Sequence, residues 1–166
     1  ERAHPLNLHS PFEGEDCVSG AVWDAKDLID DRSTDGIVKL RFEAGAMTLP
    51  MHTHEGSARF IIVLEGRGFY HASDEPLDRF TGRQVRTIAV RERDAVLFTG
   101  GVVHTFSAFD SSLVLLSYHS PFIPLDDPRQ YTLPEVRWTA KQALHRGDAR
   151  VIVDDAWSVL ASATAG

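Results

Sequence analysis

The sequence predicts an all-β domain, a sandwich or a barrel, that is followed by an irregular and partly helical C-terminal extension. Two observations in the middle of the chain support this: short runs rich in β-branched and aromatic residues, and turn-forming residues between the runs. The third is a change of character towards the C terminus, where prolines become frequent. The candidate strands are 36–43, 58–64, 68–72, 84–90, 94–98 and 113–119.

Turn signals separate these candidate strands. The Ile- and Val-rich run 59–65 is followed by Gly66 and Gly68. Glycine reaches the backbone conformations that tight turns require. The sequence therefore predicts a tight reversal at these glycines, with a separate strand on each side. A polar loop is predicted at 30–36, after an N-terminal strand or short helix.

The C-terminal extension is expected to run over the surface of the β-domain. Helical patterns predict one or two turns at 138–145 and a second helix at 154–163. Between the last strand and these helices the chain is expected to be extended, because proline disfavours both helices and inner strands. The prolines of this segment are Pro121, Pro124, Pro128 and Pro134.

Length, charge and cysteine content limit the function classes. The chain has 166 residues, 43% of them hydrophobic, which fits one domain with a real core. A formal net charge of −7 argues against binding to nucleic-acid phosphates, which requires a basic surface. No apolar run reaches the ~18 residues of a membrane span. Cys17 is the single cysteine and residues 1–7 lack a signal pattern, so we expect no internal disulfide and a cytoplasmic location.

Three histidines are the main candidates for a functional site in the sequence. His52 and His54 are two residues apart, so on a strand their side chains point to the same face. His104 follows a strand and a Gly-Gly turn and opens the next strand. Imidazole is a suitable ligand for iron, zinc, copper and nickel. The alternative is that these histidines are hydrogen-bonded core groups or exposed surface groups.

Together the two stretches resemble the two signature motifs of the cupin superfamily. The first motif has a glycine, a His-x-His pair, a glutamate and a second glycine, and the second motif has a glycine three residues before a single histidine. Asp94 stands where the family often has an acidic residue. The matching residues are Gly45, His52, His54 and Gly66 in the first motif, and Gly101 and His104 in the second.

The resemblance implies a single jelly-roll β-barrel, with the barrel over about 18–118 and the C-terminal extension over 119–166, in one domain of residues 1–166. It also implies a divalent metal ion with the three histidines His52, His54 and His104 as its ligands. Fe(II) is the favoured ion, and zinc, nickel and manganese are the alternatives. The family's tendency to dimerise implies a homodimer.

The chain departs from the cupin motifs at several positions. Arg59 occupies the position of the family's metal-binding glutamate, and a guanidinium cannot ligate a metal. Thr99 replaces a proline, Arg93 a glycine and Ala108 an asparagine, and the spacer before His52 is one residue longer than usual. Of the usual four ligands, three histidines remain.

Two interpretations of Arg59 are open. In the first, Arg59 is a catalytic and substrate-binding residue that anchors an anionic or enolic substrate beside the metal, because its planar fork matches a carboxylate. In the second, Arg59 is structural and pairs with Glu43, Glu55 or Glu65. A further possibility is that Glu55 or Glu65 replaces the missing ligand through a local shift.

Other side chains are weaker candidates for the site. Phe106 is the best candidate for a pocket wall that binds substrate, because it lies two residues after His104. His71 and His119 lie on neighbouring candidate strands. They are candidates for hydrogen-bond partners of the ligands or for acid–base groups. A solvent-facing or purely structural position is the favoured interpretation of both.

The favoured function is a metal-dependent oxidoreductase of the dioxygenase type that acts on a small organic substrate. The resemblance implies this, since three-histidine cupin centres often hold Fe(II) and cleave diketones or aromatic diols with oxygen. One alternative is a non-catalytic cupin that binds or senses a small molecule. Another is a metal-free sugar-type isomerase or epimerase, with His71 or His119 and Tyr70 or Tyr118 as an acid–base pair.

Overall fold

The structure is a computed structural model, and it describes residues 4–6, 18–24, 32–124, 127–146 and 151–152, with side chains described within 32–124 and 127–144. Nearly all regular structure in these ranges is β-strand, as the sequence predicts. The strands are β1 (His4–Leu6), β2 (Val18–Asp24), β3 (Gly36–Phe42), β4 (Ala58–Ser73), β5 (Val85–Arg91), β6 (Ala95–Phe98), β7 (Val103–Ser107), β8 (Leu113–Ser120) and β9 (Val151–Ile152). The helix α1 spans Ala140–Arg146, and short 3-10 helices span Leu77–Arg79 and Pro128–Gln130.

The strands form two sheets that share β4. The first sheet has the order β1-β2-β3-β8-β4-β6, and the second places β4 between β7 and β5, with β9 beyond β5. Every pairing is antiparallel except that of β5 with β9. Pairing between strands distant in sequence, such as β3 with β8, is typical of a jelly roll. The predicted all-β jelly-roll class is therefore confirmed.

The predicted reversal at Gly66 is wrong, because β4 continues through it. Gly66 has a φ of 77°, and the pairing with β8 shifts register between Val63 and Glu65. This irregularity allows one long strand to bend from the first sheet into the second. A Cβ atom on Gly66 would lie 1.8 Å from the carbonyl oxygen of Ser112. Because Gly66 has no side chain, the segment that contains Ser112 can pack closely against β4, and β4 continues through this point.

The apolar core lies between the two sheets. Alternate residues of β4 point inwards: Ile61 and Val63 in the first half, and Tyr70 and Ala72 in the second. A second apolar cluster, which includes Trp138, lies on the other face of the second sheet. The inner core also contains Phe42, Ala46, Ile88, Val90, Val96, Phe98, Phe106, Ala108, Leu113 and Leu115.

The C-terminal extension is bonded to the barrel next to the histidine motif. The amide of Met51 donates to the carbonyl of Trp138 (3.0 Å), and Thr53 and Thr132 exchange backbone hydrogen bonds of 2.9 and 3.0 Å. Helix α1 confirms the helical prediction at 138–145. The helix predicted at 154–163 lies outside the described residues. In the described part of the chain, no helix has the length and apolar character needed to cross a membrane.

Candidate metal centre

His52 and His54 lie on an extended segment just before β4 rather than within a strand. His52 exchanges backbone hydrogen bonds of 3.0 and 2.9 Å with His104, the second residue of β7. The neighbouring Thr53 pairs on the other side with Thr132 of the C-terminal extension. The histidine segment is therefore held between β7 and the extension, and the two-residue spacing turns His52 and His54 towards one point.

The three predicted ligands come together in the interior. The ring centroids are 4.9 Å apart for His52 and His54, 4.7 Å for His52 and His104, and 5.0 Å for His54 and His104. One ring nitrogen of each residue lies within 4.8 Å of the others, and all three side chains are buried. The spacing suits three nitrogen ligands of one metal ion.

The hydrogen bonds of the three rings fix which nitrogen faces the common point. The Nδ1 atoms of His52, His54 and His104 lie 2.8, 2.5 and 2.9 Å from the backbone carbonyls of Pro50, Gln130 and Val102. A carbonyl only accepts, so each Nδ1 must carry the hydrogen and donate. Each Nε2 therefore keeps its lone pair, which is the form that binds a metal.

Burial keeps the three imidazoles uncharged at neutral pH. Burial lowers the pKa of His52 to about 4. The pKa values of His54 and His104 also fall well below the usual range, mainly through burial and then through the charge of neighbouring groups. Arg59 contributes to the lowering of all three pKa values by its positive charge. Protons therefore compete with a metal ion for these ligands only in acidic solution.

No carboxylate joins the three histidines within the described ranges. Glu55 is exposed and accepts a hydrogen bond from the hydroxyl of Thr132 at 3.4 Å. Glu65 is exposed as well. Neither side chain therefore takes the place of the family's glutamate, and the donor set consists of three neutral imidazoles.

Arg59 is almost fully buried beside this centre, with 1% of its surface exposed. Its Nη1 donates to the Ser57 hydroxyl and to the Ala58 carbonyl (3.2 Å), and its Nη2 lies 3.5 Å from Oε1 of Gln130. The buried Nε has no acceptor. Burial lowers the pKa of Arg59 to about 10, so the guanidinium stays charged at neutral pH. In the described part of the chain, no carboxylate neutralises it.

The pairing of Arg59 with Glu43, Glu55 or Glu65 is therefore not present in the structure. Glu43 accepts a hydrogen bond from Arg41 at 2.7 Å on the surface. A buried guanidinium without a counter-ion is costly unless a partner supplies the charge. The interpretation that remains is a positive group that faces the interior of the barrel next to the candidate ligands.

The sequence did not indicate several residues that complete the centre. Gln130 holds His54 through its carbonyl and contacts Arg59 through its amide, although it lies 76 residues from His54. The ring of Tyr131 lies 5.0 Å from that of His52. These residues come from the proline-rich extension, and no spacing rule connects this segment to a His-x-His motif.

The other predicted site residues are not members of the three-histidine cluster. Phe106 is buried in the core, where its ring contacts those of Phe42 (6.3 Å) and Tyr70 (5.0 Å), while Phe98 lies 4.0 Å from the ring of His104. His119 is buried, with its ring 6.5 Å from that of His54 and its Nδ1 unpartnered. The solvent-facing interpretation of His119 is therefore wrong.

His71 is also buried, but it faces the other side of the second sheet. Its Nδ1 and Nε2 each lie 2.8 Å from a hydroxyl, those of Thr87 and Ser107. Burial lowers the pKa of His71 to about 3. The solvent-facing interpretation is wrong for this residue too, and both of its nitrogens are already bonded, unlike those of the metal-site candidates.

Comparisons with known proteins agree with the fold. The family profile described as "Cupin domain" matches residues 38–118. Oxalate decarboxylase from Bacillus subtilis superposes with a TM-score of 0.57 and 16% identity, over 79% of this chain and 30% of that one. A predicted oxalate decarboxylase from Thermotoga maritima gives 0.52 and 15%, over 72% of this chain and 92% of that one.

A formate complex of oxalate decarboxylase from Lactobacillus farciminis gives a TM-score of 0.50 at 18% identity, over 74% of this chain and 33% of that one. The chain thus spans about a third of the length of the Bacillus and Lactobacillus proteins. At 15–18% identity, these superpositions show a shared fold and do not show a shared activity. No curated protein matches the sequence significantly.

Proposed function

Because this chain belongs to the cupin superfamily, we propose that it is a metal-dependent enzyme that holds a divalent cation on His52, His54 and His104. We propose further that Arg59 binds a small organic anion next to this cation. The observation that carries the proposal is the buried guanidinium of Arg59, which has no carboxylate partner among the described residues and one unused donor, Nε. A substrate carboxylate or enolate would supply the missing negative charge.

The charge balance of the centre favours an anionic substrate over a neutral one. Three neutral imidazoles contribute no negative charge, so a divalent cation and Arg59 together would place three positive charges in a buried site. Charges in such surroundings need close compensation, because water screens them poorly. A small carboxylate or enolate with two oxygens could contact both the cation and the guanidinium.

The residues around the centre have distinct roles in this proposal. A divalent ion bound there would act as a Lewis acid on substrate oxygens and, as Fe(II), would allow chemistry with O2. Gln130 would orient both His54 and Arg59, since it contacts each of them. Tyr131 and Phe98, whose rings lie near His52 and His104, would limit the access of water.

The favoured reaction is oxidative cleavage of the dioxygenase type. Three protein ligands leave more positions of the metal for substrate and oxygen than four ligands would. The second candidate is decarboxylation of a small carboxylate, suggested by the fold likeness to proteins described as oxalate decarboxylases. Both reactions need the same anion-binding role of Arg59, and they differ in whether O2 is consumed.

The test uses protein reconstituted anaerobically with Fe(II), and separately with Mn(II). It is assayed against short 2-oxo acids, dicarboxylates including oxalate, and 1,3-diketones, with O2 uptake and CO2 release measured together. We expect O2 uptake with at least one anionic or enolisable substrate, and its loss in the Arg59→Met variant. CO2 release without O2 uptake would favour the decarboxylase. Stoichiometric metal and ligand binding without any turnover would contradict an enzyme and favour the sensor.

We also propose that the chain forms a homodimer through the outer face of the first sheet. Phe60 on β4 and Leu97 on β6 are cross-strand neighbours, and both are exposed, at 40% and 38%. Leu64, on the same face of β4, is exposed as well. Exposed apolar side chains that lie side by side are typical of a protein interface. A monomeric mass by light scattering would contradict this proposal.

A further inference from the structure

A cavity of about 210 Å³ lies outside the barrel, on the face of the second sheet opposite the metal centre. Its floor is formed by outward-facing residues of β4, among them Phe69, whereas the neighbouring Tyr70 points into the core. Its roof comes from the C-terminal extension, with Trp138 before α1 and Ala143 and Leu144 on it. The cavity therefore lies between the barrel and the extension and is mainly apolar.

Three buried polar side chains border this cavity, whose accessible surface is otherwise almost entirely apolar. His71, Thr87 and Ser107 line it and are 4%, 4% and 2% exposed. Both hydroxyls bond to the same imidazole, at 2.8 Å each. In the described structure these two contacts are the only hydrogen bonds of the Thr87 and Ser107 side chains.

The arrangement leaves at least one hydroxyl hydrogen unused. A neutral imidazole accepts through one nitrogen and donates through the other, so only one of the two hydroxyls can donate to His71. The other hydroxyl accepts from the ring, and its own hydrogen has no acceptor among the described residues. A protonated ring would leave both hydroxyl hydrogens unused. An unsatisfied donor at a buried site is costly, and a bound acceptor removes this cost.

We propose that this cavity is a second binding site, and that it takes a small, uncharged and mainly apolar molecule with one hydrogen-bond acceptor oxygen. The oxygen accepts from the hydroxyl of Thr87 or Ser107, and the apolar body lies against Trp138 and Ala143. Aromatic ketones and esters have this chemistry. A charged ligand does not fit, because none of the described residues that line the cavity is charged.

The volume is suited to a molecule of this class. A dry engineered cavity of about 150 Å³ lined by aliphatic and aromatic side chains binds benzene in another protein. The cavity here is larger, at about 210 Å³, and therefore admits a substituted single ring. Its aromatic wall, Trp138, offers a face for such a ring.

This site is independent of the metal centre. His104 and Ser107 are both on β7, but His104 belongs to the interior cluster while Ser107 lines the outer cavity. His71 and its cross-strand neighbour Thr105 do not contact the three candidate ligands through their rings or hydroxyls. A ligand in the cavity therefore does not compete for the metal.

The chain offers a direct assay, because it contains two methionines, of which Met47 lines the cavity and Met51 does not. The full chain, labelled with ¹³C at the methionine methyl groups, is titrated with acetophenone and, separately, with α-methylstyrene, which has the same shape without the oxygen. We expect saturable shifts of Met47 that exceed those of Met51. Acetophenone should bind about 3- to 10-fold more tightly, the usual gain from one hydrogen bond.

Two sets of variants complete the test. Ala143→Phe should fill the cavity and abolish both titrations, and Ala140→Leu repeats this with a smaller change on the same wall. Thr87→Val and Ser107→Ala should each keep α-methylstyrene binding, and at least one should remove the preference for acetophenone. The site would be overturned if neither probe gave a saturable Met47 shift in the unmodified chain. It would also be overturned if both filled variants gave the same Met47 shifts as the unmodified chain. Equal affinity for the two probes in the unmodified chain would overturn the role of the hydroxyl.

Discussion

The second sheet lies between two groups of buried imidazoles, the three candidate ligands inside and the single His71 outside, and the groups differ first in their hydrogen bonds. In the interior, His52, His54 and His104 each bond through Nδ1 to a backbone carbonyl, and Nε2 stays free. On the outer face, His71 has both nitrogens bonded to hydroxyls. Burial and residue type are the same in both groups, so the hydrogen bonds decide which imidazole can serve as a ligand.

The two groups also differ in the charge of their surroundings. The interior group adjoins Arg59, a buried positive charge that no carboxylate neutralises in the described structure, and we propose that an anionic substrate supplies this charge. The described lining of the outer cavity contains no charged side chain, and one hydroxyl there lacks a hydrogen-bond acceptor within the described structure. On these proposals the same sheet has a site for a metal and an anion on one face and a site for a neutral molecule on the other.

The largest expected effect that separates the two groups is metal removal. A metal at about 1,000 times its dissociation constant stabilises the folded state by about 4 kcal/mol, because only the folded chain holds the three ligands together. We expect the melting temperature to rise by about 10 °C when the chelated protein is reloaded. The His71→Gln variant should show the same rise. A rise that is absent in His71→Gln but present in His54→Ala would invert the assignment.

The next effect concerns Arg59. Substitution of Arg59 by Met removes a buried charge, so we expect the unfolding free energy of the metal-free protein to stay unchanged or to rise by up to about 2 kcal/mol. The affinity for an anionic substrate should fall by about 10- to 100-fold, the value of a charged hydrogen bond. Urea unfolding and calorimetric titration measure the two quantities. Marked destabilisation with unchanged anion binding would mean that Arg59 is structural.

An effect of similar size is the pH dependence that His71 causes. The pKa of His71 is about 3 in the folded protein and near 6.5 in the unfolded chain, so only the unfolded chain binds this proton at intermediate pH. The unfolding free energy should therefore fall as the pH drops below about 6, by about 1.4 kcal/mol per pH unit. In His71→Gln, the slope of the unfolding free energy against pH should be smaller by this amount. The other histidines contribute equally to both proteins, so the difference between the slopes isolates His71. Identical slopes from pH 6 to 4 would contradict the buried, neutral state of His71.

The smallest effect is expected at Gln130. Its side-chain amide contacts Arg59 at 3.5 Å, while its carbonyl, which holds His54, belongs to the backbone. Gln130→Ala should therefore leave the metal in place and weaken anion binding only a few-fold. Metal content and anion affinity of the variant check this. Loss of the metal would show that the extension, and not the barrel alone, determines the ligand geometry.

The sequence predicted the parts of the molecule that local patterns encode. Strand-length apolar runs indicated the barrel, and the two-residue spacing of His52 and His54 indicated a shared face. It did not predict that the strands around Gly66 are one bent strand, because glycine is equally suited to a turn and to a bulge. The difference depends on the partner strand β8, which lies far away in the sequence.

The sequence also left the environment of the buried polar groups open. Gln130 completes the centre from an extension in which no motif marks it, and its contact depends on the docking of that segment. Whether Arg59 pairs with a glutamate depends on side-chain packing, which spacing does not reveal. For His71, burial follows from α1 and Trp138 covering the sheet, again a tertiary feature.

The most direct test of the account is elemental analysis of the protein purified without chelators or an affinity tag, beside the His104→Ala and His71→Gln variants. We predict about one metal ion per chain in the unmodified protein and in His71→Gln, and a loss of the metal in His104→Ala. Equal metal in His104→Ala would contradict the three-histidine centre. So would the absence of metal from all three proteins after anaerobic reconstitution.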